Sequence, residues 1–323
     1  MRLDRPGPSP LDQLVRVPGG TFRMGSDGHY PEEGPAHGVA VDGFWMDPHL
    51  VTNRAFGAFV DATGYQTVAE GPLDPADFPG APPENLVPGS LVFTMTAGPV
   101  DLRHLSQWWT WMPGASWRHP EGPDSSIADR AEHPVVQVAY ADAEAYAAWA
   151  GCSLPTEAEW ERAARGHHDG APFVWGDRPE QPGERLANYW HGDFPWRASA
   201  DYGASSPVGA YPPNDFGLHD VAGNVWEWTA DWWSAHRTAN QDPCCVPGDR
   251  SRPSMEGSYD PAQPQFRVPR KVIKGGSFLC ADSYCQRYRP AARRPQMIDT
   301  GMSHIGFRCI RRDDAPRTEE DHL

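Results

Sequence analysis

The chain has 323 residues, with 28 Lys and Arg against 43 Asp and Glu, so its formal net charge is −15. An acidic balance of that size excludes a partner held by phosphate neutralisation, since nucleic-acid affinity is drawn from Lys and Arg. Gly and Pro (32 and 35) make up about a fifth of the residues, below the roughly 25–30% that marks low-complexity disorder, and 14 Trp argue for ordered loops pinned by large rings around sparse regular structure.

In chain order, Val15 and Val17 alternate before Pro18-Gly19-Gly20, and VRVPGGTFRMGS reads as a β-hairpin. VAVDGFWMDPHLVTN alternates next. Thr52 or Asn53 then offers an N-cap to a short helix expected from Arg54 to Ala62, with Phe56, Phe59 and Val60 on one face and Gly64 as its stop. Residues 66–124 are rich in Pro, Gly and aromatics and read as ordered loop around one strand, SLVFTM. HPVVQVAY is expected to be a strand and ADAEAYAAWAG an Ala-rich helix. PTEAEWERAARG is expected to be a second helix, with Thr156 as cap, Glu159 as its capping-box partner and Gly166 as terminator. From Gly170 onward the pattern is loop with short strands, ending in KVIKGGSF and IGFRCIRR, and the polar tail DDAPRTEEDHL is expected to fray. Helices and strands do not alternate, which favours an α+β fold over a doubly wound parallel sheet.

No run approaches the roughly 18 apolar residues that span a bilayer, and MRLDRPGPSPLDQL lacks the apolar centre of a secretory signal. The expectation is a cytoplasmic protein with no membrane partner. Six cysteines (Cys152, Cys244, Cys245, Cys280, Cys285 and Cys309) are too few for a disulfide scaffold. Phosphate-binding, dinucleotide-binding, H-E-x-x-H and G-x-S-x-G patterns are all missing. Two features carry chemistry instead. One is a C-x4-C loop at Cys280 and Cys285, followed by Arg287, Arg289, Arg293 and Arg294. Its spacing suits a disulfide, a shared soft metal or two incidental cysteines, and the cations would favour thiolate. The other is a set of acidic and amide oxygens in loops, a pattern that suits calcium.

The string KGGSFLCADSYCQRYRPAARR followed by GFRC resembles the sulfatase-modifying, formylglycine-generating enzyme family. So do VPGGTFRMGSD, WRHPEGPDSSI, LPTEAEWERAARG and PPNDFGLHDVAGNVWEWTADWW, in that family's order. The resemblance runs from about Val15 to Arg311. It implies one α+β, loop-rich domain of the formylglycine-generating-enzyme, C-type-lectin-like kind over residues 15–312, with a flexible segment 1–14 and a polar tail 313–323. It also implies an oxidase that uses Cu(I) and molecular oxygen to convert a cysteine of an unfolded sulfatase, in a Cys-x-Pro-x-Arg motif, to Cα-formylglycine. By resemblance Cys280 and Cys285 are copper ligands and essential thiols, Ser277 is an active-site hydroxyl and Trp226 an active-site wall, while Tyr284 and Arg287 stand where substrate would pass. Two thiolates suit Cu(I) and leave room for a substrate thiolate as a third soft ligand.

The same resemblance assigns a structural calcium to Asp220, Glu227 and the carbonyls of Gly223 and Val225. A second calcium would use Asn188, Tyr189, Asp201 and Tyr202, although FPWRASADYGASS departs from the family pattern there. Cys309 matches a family half-cystine whose usual partner position is Ala147 here, with Cys152 nearby. Cys244-Cys245 and His167-His168 read as inert loop residues. The chain is expected to be a monomer. Two other classes are weighed against this reading. Iron-dependent sulfoxide synthases of the same superfamily need an N-terminal helical domain, for which the 14 residues before Val15 are too few. A non-catalytic lectin-like module would have no use for paired thiols in a basic setting.

Overall fold

The computed structural model describes residues 14–73, 75, 82, 86–200, 202–236, 254–265 and 267–313. The expected terminal segments therefore lie almost wholly outside the described residues. In chain order the elements are β1 (Val15–Val17), β2 (Gly20–Met24), β3 (His37–Val41), β4 (Phe44–Met46), α1 (Asn53–Thr63), β5 (Gly89–Phe93) and β6 (Trp109–Pro113). They continue with α2 (Tyr140–Trp149), α3 (Glu157–Arg165), β7 (Gly192–Asp193), β8 (Arg197–Ala198), β9 (Trp226–Trp232), β10 (Arg270–Lys274), β11 (Arg293–Met297), β12 (Ile305–Gly306) and β13 (Ile310–Arg312). Strands are short and long connections separate them, as the composition led one to expect.

Helix boundaries follow local chemistry. In α1 the Thr52 hydroxyl accepts the Ala55 N–H, and Gly64 ends the helix in the left-handed region at φ 69°. In α3 the Thr156 hydroxyl accepts the Glu159 N–H at 3.1 Å while the Glu159 carboxylate accepts the Thr156 N–H at 2.7 Å, closing the anticipated capping box. The N-cap of α2 is Ala139, which has no side chain to offer, so the buried Asp142 carboxylate accepts the Ala139 N–H instead.

Sheet pairing departs from the sequence reading in three places, the first being β6, which pairs antiparallel with β5 inside the stretch 66–124 that read as loop around one strand. β1 and β2 do not form a hairpin: β1 pairs with β4, and β2 pairs with β3. Gly19 sets its Cα against the Gly43 backbone, where a Cβ would meet the Gly43 nitrogen at 2.6 Å, so the chain turns from one sheet into the next. The segment HPVVQVAY is extended core without a ladder. Val135, Val136 and Val138 are all buried, but Gln137 has φ 61° and breaks the strand geometry, and its N–H donates to the Met302 carbonyl.

The two larger sheets run β1-β4-β13 and β11-β10-β9-β12. β9 and β10 pair antiparallel, and β12 adds to β9 in parallel. α3 packs on this second sheet, and Trp160 from α3 and Trp228 from β9 meet in the main core. Their indoles are pinned as expected: Trp160 donates to Glu227 and Trp228 to the Val138 carbonyl. A smaller aromatic core holds Trp108, Trp190, Phe194 and Phe278 with Leu279 and Ala281, so the loop bearing Cys280 lies between two apolar clusters.

Candidate active site

The site begins where β10 ends. Lys274 is followed by Gly275 and Gly276 at φ 92° and 71°, and a Cβ on Gly276 would lie 2.7 Å from both the Arg287 carbonyl oxygen and the Tyr288 Cα. Only glycine lets the outgoing chain pass so close to the returning one. The loop is then fixed by its backbone: Cys280 N–H donates to the Ser277 carbonyl, Trp190 N–H to the Cys280 carbonyl and Cys285 N–H to the Ala281 carbonyl.

That folding brings the sulfurs of Cys280 and Cys285 to 3.5 Å without a bridge between them. Cys280 is buried and Cys285 is partly open to solvent. Burial pushes the Cys280 thiol well up. The hydrogen bond from Cys280, with Arg287 behind it, pulls Cys285 down. The pair thus shares one proton readily, with the charge resting on the outer sulfur. Two facing soft donors of this kind fit a thiophilic metal such as Cu(I).

The surroundings include residues that local motifs do not reveal. Arg287 places Nη1 3.9 Å from the Cys285 sulfur. Its other nitrogens donate to Glu32 Oε1 at 2.6 and 3.2 Å, and its guanidinium carbon sits 3.8 Å from the centre of the Tyr30 ring. The Tyr30 hydroxyl accepts the Gln286 N–H. One residue further on, Glu33 and Arg289 form a fully buried, two-pronged ion pair. Segment 30–33 therefore grips segment 286–289 from about 255 residues away, a relation that spacing along the chain does not carry.

The other anticipated residues fall in or around this site. Ser277 is fully buried, and its hydroxyl accepts the Leu279 N–H at 3.2 Å, the bond of a turn serine, three residues before Cys280. Trp226 is buried in the same cluster as Cys280 and Tyr288, and its N–H donates to the His304 carbonyl. Tyr284 is 37% exposed and lies flat on Phe194, with ring centres 4.8 Å apart. Cys152 and Cys309 are both free thiols near the Ser153–Ile310 bridge. Cys244, Cys245 and Asp201 lie outside the described residues. His167 and His168 follow α3 at the surface, with His168 near Asp215.

The calcium candidates divide by their partners. Asp220 and Asn188 each have a buried oxygen, Oδ1, with no hydrogen-bond donor among the described residues, and burial raises the Asp220 carboxyl. Gly223 presses on the Asn188 backbone so closely that a Cβ would be 2.1 Å from the Asn188 carbonyl oxygen, and the Asn224 N–H donates to that same oxygen. A buried, donorless oxygen suits a hard cation, and each of the two expected sites holds one. Glu227 differs: Arg308 donates to both of its oxygens and Trp160 donates to Oε2, so its charge is already balanced. Tyr202 packs on His191, with ring centres 4.0 Å apart, beside the loop that continues from Asn188.

The family model described as sulfatase-modifying factor enzyme 1-like domain matches residues 3–313. The chain is 54% identical over 307 residues to the formylglycine-generating enzyme of Mycobacterium tuberculosis, covering 93% of this chain and 98% of that one. It is 45% identical over 302 residues to the formylglycine-generating enzyme of Thermomonospora curvata, covering 92% of each. Among solved structures, PvdO from Pseudomonas aeruginosa superposes with a TM-score of 0.58 at 27% identity, covering 93% of this chain and 94% of that one.

Proposed function

The chain belongs to the sulfatase-modifying factor enzyme 1-like family, and on that footing we propose that it oxidises a sulfatase cysteine, within Cys-x-Pro-x-Arg, to Cα-formylglycine with Cu(I) and molecular oxygen. The name carried by the relatives from Mycobacterium tuberculosis and Thermomonospora curvata supports the reaction. The observation that carries it to these residues is the unbridged pair of sulfurs 3.5 Å apart, one buried and one reachable from outside.

The ligands in this reading are Cys280 and Cys285. Cu(I) held by two thiolates would supply a soft, unsaturated centre able to accept a substrate thiolate and to engage dioxygen. The protein's own share is positioning. Cys285 faces the incoming peptide, Arg287 balances negative charge beside it, and the apolar ring wall that includes Trp226 keeps water from the reacting carbon. The substrate CH2–SH group gives up two protons and two electrons to dioxygen and becomes a thioaldehyde. Water then adds to its carbon and sulfur leaves as hydrogen sulfide, giving the aldehyde. Further electrons from an external reductant carry dioxygen to water. In the same reading Ca2+ would brace the loops through Asp220 and the carbonyls of Gly223 and Val225, while the fourth expected ligand, Glu227, is already held by Arg308 and Trp160 and would have to give up part of that pairing; a second ion would use Asn188, Tyr189, Asp201 and Tyr202.

The test is to incubate the purified protein with Cu(I) and a Cys-Thr-Pro-Ser-Arg peptide in air, following the peptide by mass spectrometry. Conversion of the cysteine to the aldehyde is expected. An unchanged thiol mass with copper demonstrably bound would sink the oxidase reading.

A further inference from the structure

Four electrons reduce dioxygen to water and the substrate CH2–SH group supplies two, so two must reach the thiol pair from outside. Cys285 faces the incoming peptide and Cys280 is 2% exposed, so a reductant in solution meets neither sulfur once a peptide is seated. The inner side of the pair has a different neighbour. Tyr288 is buried in the same cluster as Cys280, and its backbone is held against the start of the loop, where a Cβ on Gly276 would lie 2.7 Å from the Tyr288 Cα. From Tyr288 a stack of rings runs outward. The planes of Tyr288, Phe173 and Trp175 lie within 17° of one another, with centres 6.2 Å apart for Tyr288 and Phe173, 5.3 Å for Phe173 and Trp175, and 6.4 Å for Tyr288 and Trp175. Trp175 is half-buried and its indole N–H donates to the carbonyl of the exposed Arg178, so the stack ends at solvent. On its other side Tyr288 stacks on Tyr189, but the ring beyond is His191, and imidazole is too hard to oxidise to pass an electron onward.

We propose that Tyr288 and Trp175, packed against Phe173, are an electron relay through which a one-electron reductant of the ascorbate class, at the surface, supplies the thiol-held centre while the peptide covers it. The proposal rests on the oxidase reading and adds the route by which its external electrons enter. In each pass Tyr288 gives one electron inward, and its phenol proton moves to the Asp282 carboxylate, to which the hydroxyl donates at 2.6 Å. Trp175 then gives one electron to the oxidised Tyr288, the proton returns from Asp282, and the reductant refills Trp175. The relay ends each pass unchanged. Two passes per aldehyde bring two electrons from two reductant molecules, which also release two protons. With the two electrons and two protons of the substrate, these reduce one dioxygen to two waters.

The experiment loads the full chain with Cu(I), adds the Cys-Thr-Pro-Ser-Arg peptide in air without reductant, and maps oxygen added to tryptophans by peptide mass spectrometry. Trp111, 36% exposed, serves as the control for oxidants free in solution. With no reductant to refill it, Trp175 is expected to be oxidised well beyond Trp111, and ascorbate is expected to protect it. Tyr288→Phe keeps a ring in the stack but removes one that can be oxidised, so Trp175 oxidation should fall to the level of Trp111. With ascorbate present, Tyr288→Phe and Trp175→Phe are each expected to slow aldehyde formation at least about tenfold, while Trp175→Tyr, whose ring can still be oxidised, stays within about threefold of the parent. Tyr288→Phe and Trp175→Phe together should slow it no further than either alone, a result that loosened packing would not give. Thermal unfolding of every variant checks that it folds, and Trp175→Phe, near the surface, remains informative should Tyr288→Phe fail. Trp175 oxidised no more than Trp111 in the parent, or oxidised equally in Tyr288→Phe, would overturn the relay while aldehyde formation left the oxidase reading intact. No aldehyde from the parent with copper bound would overturn both.

Discussion

Two groups of ionisable side chains flank the Gly275–Gly276 turn and obey opposite rules. Before the turn, Lys274 is wholly buried and donates to Glu161 at 2.8 Å. Glu161 also accepts from Arg165, and Glu157 accepts two bonds from Arg293. Every charge there has an opposite charge within reach, and the cluster binds α3, β10 and β11 together. After the turn, Cys280 and Cys285 have each other, and one guanidinium at 3.9 Å. Satisfied charges make a floor, because each has more to lose than to gain by changing partner. The thiols can exchange a proton or take a metal at little cost, and that is what a reacting centre needs.

The largest test of that contrast separates activity from stability. Cys280→Ser and Cys285→Ser are expected to abolish formylglycine formation, by about 10³-fold or more, as for removal of any group on which the chemistry depends. In urea unfolding, Cys285→Ser should change stability by under about 0.5 kcal/mol, and the buried Cys280→Ser by about 1–2 kcal/mol through its new hydroxyl. Lys274→Met is expected to cost about 3–5 kcal/mol, because Glu161 is left buried with one fewer cation. If Cys280→Ser destabilised the protein as much as Lys274→Met, the distinction between floor and site would collapse.

The same contrast explains how much the sequence disclosed. The caps at Thr52 and Thr156, the stops at Gly64 and Gly166 and the C-x4-C loop are written within a few residues of where they act, so composition and spacing reveal them. The partner of β1 is not, since Val15–Val17 would suit any edge that offers a pairing face, and tertiary packing chose β4. HPVVQVAY looked like a strand because its valines are apolar, but burial on both sides serves an extended core segment equally well. Glu32 and Glu33 belong to no motif that the sequence displays. Only folding shows that they meet Arg287 and Arg289. The buried, donorless oxygens of Asp220 and Asn188 were legible as family positions, but their lack of partners was not.

Calcium offers a second, smaller test, because the loop of Asp220 departs from the rule of the floor: its Oδ1 is buried and has no donor among the described residues. A bound cation would restore the balance. Adding a calcium chelator is expected to lower Tm by several degrees, the size of a stabilisation of about 2–3 kcal/mol from a site near a hundredfold saturation. In Asp220→Ala the chelator should change little, since the ion is already lost. Elemental analysis provides the counter-check: calcium that stays bound after Asp220→Ala and Glu227→Ala together would show that these are not its ligands.

The smallest expected effect compares two buried carboxylates in the first turns of neighbouring helices. Glu157 opens α3 and Asp142 lies in the first turn of α2, so both meet the same favourable helix terminus. Burial opposes ionisation of each, but Arg293, with His236 and Lys274, outweighs it at Glu157 and holds that carboxyl well below the usual range. Among the described residues Asp142 accepts from two N–H groups and the Tyr65 hydroxyl and has no cation, and burial lifts it to about 6. The signs therefore differ. Glu157, depressed in the folded state, contributes stability at any pH above its unfolded value near 4.5, and that contribution is lost as pH falls below it. Asp142, raised in the folded state, contributes stability below its unfolded value near 3.8, and that contribution is lost as pH rises through about 6. From pH 5 to pH 7, the parent is expected to lose about 1 kcal/mol relative to Asp142→Asn, whose side chain does not titrate. Over the same interval Glu157→Gln should be less stable than the parent by a constant amount, and the two should converge only in stronger acid. Urea unfolding at half-unit pH steps measures both slopes. A flat difference for Asp142→Asn, or a slope for Glu157→Gln between pH 5 and 7, would mean that the pairing of charges, and not merely their burial, has been misassigned in one of the two helices.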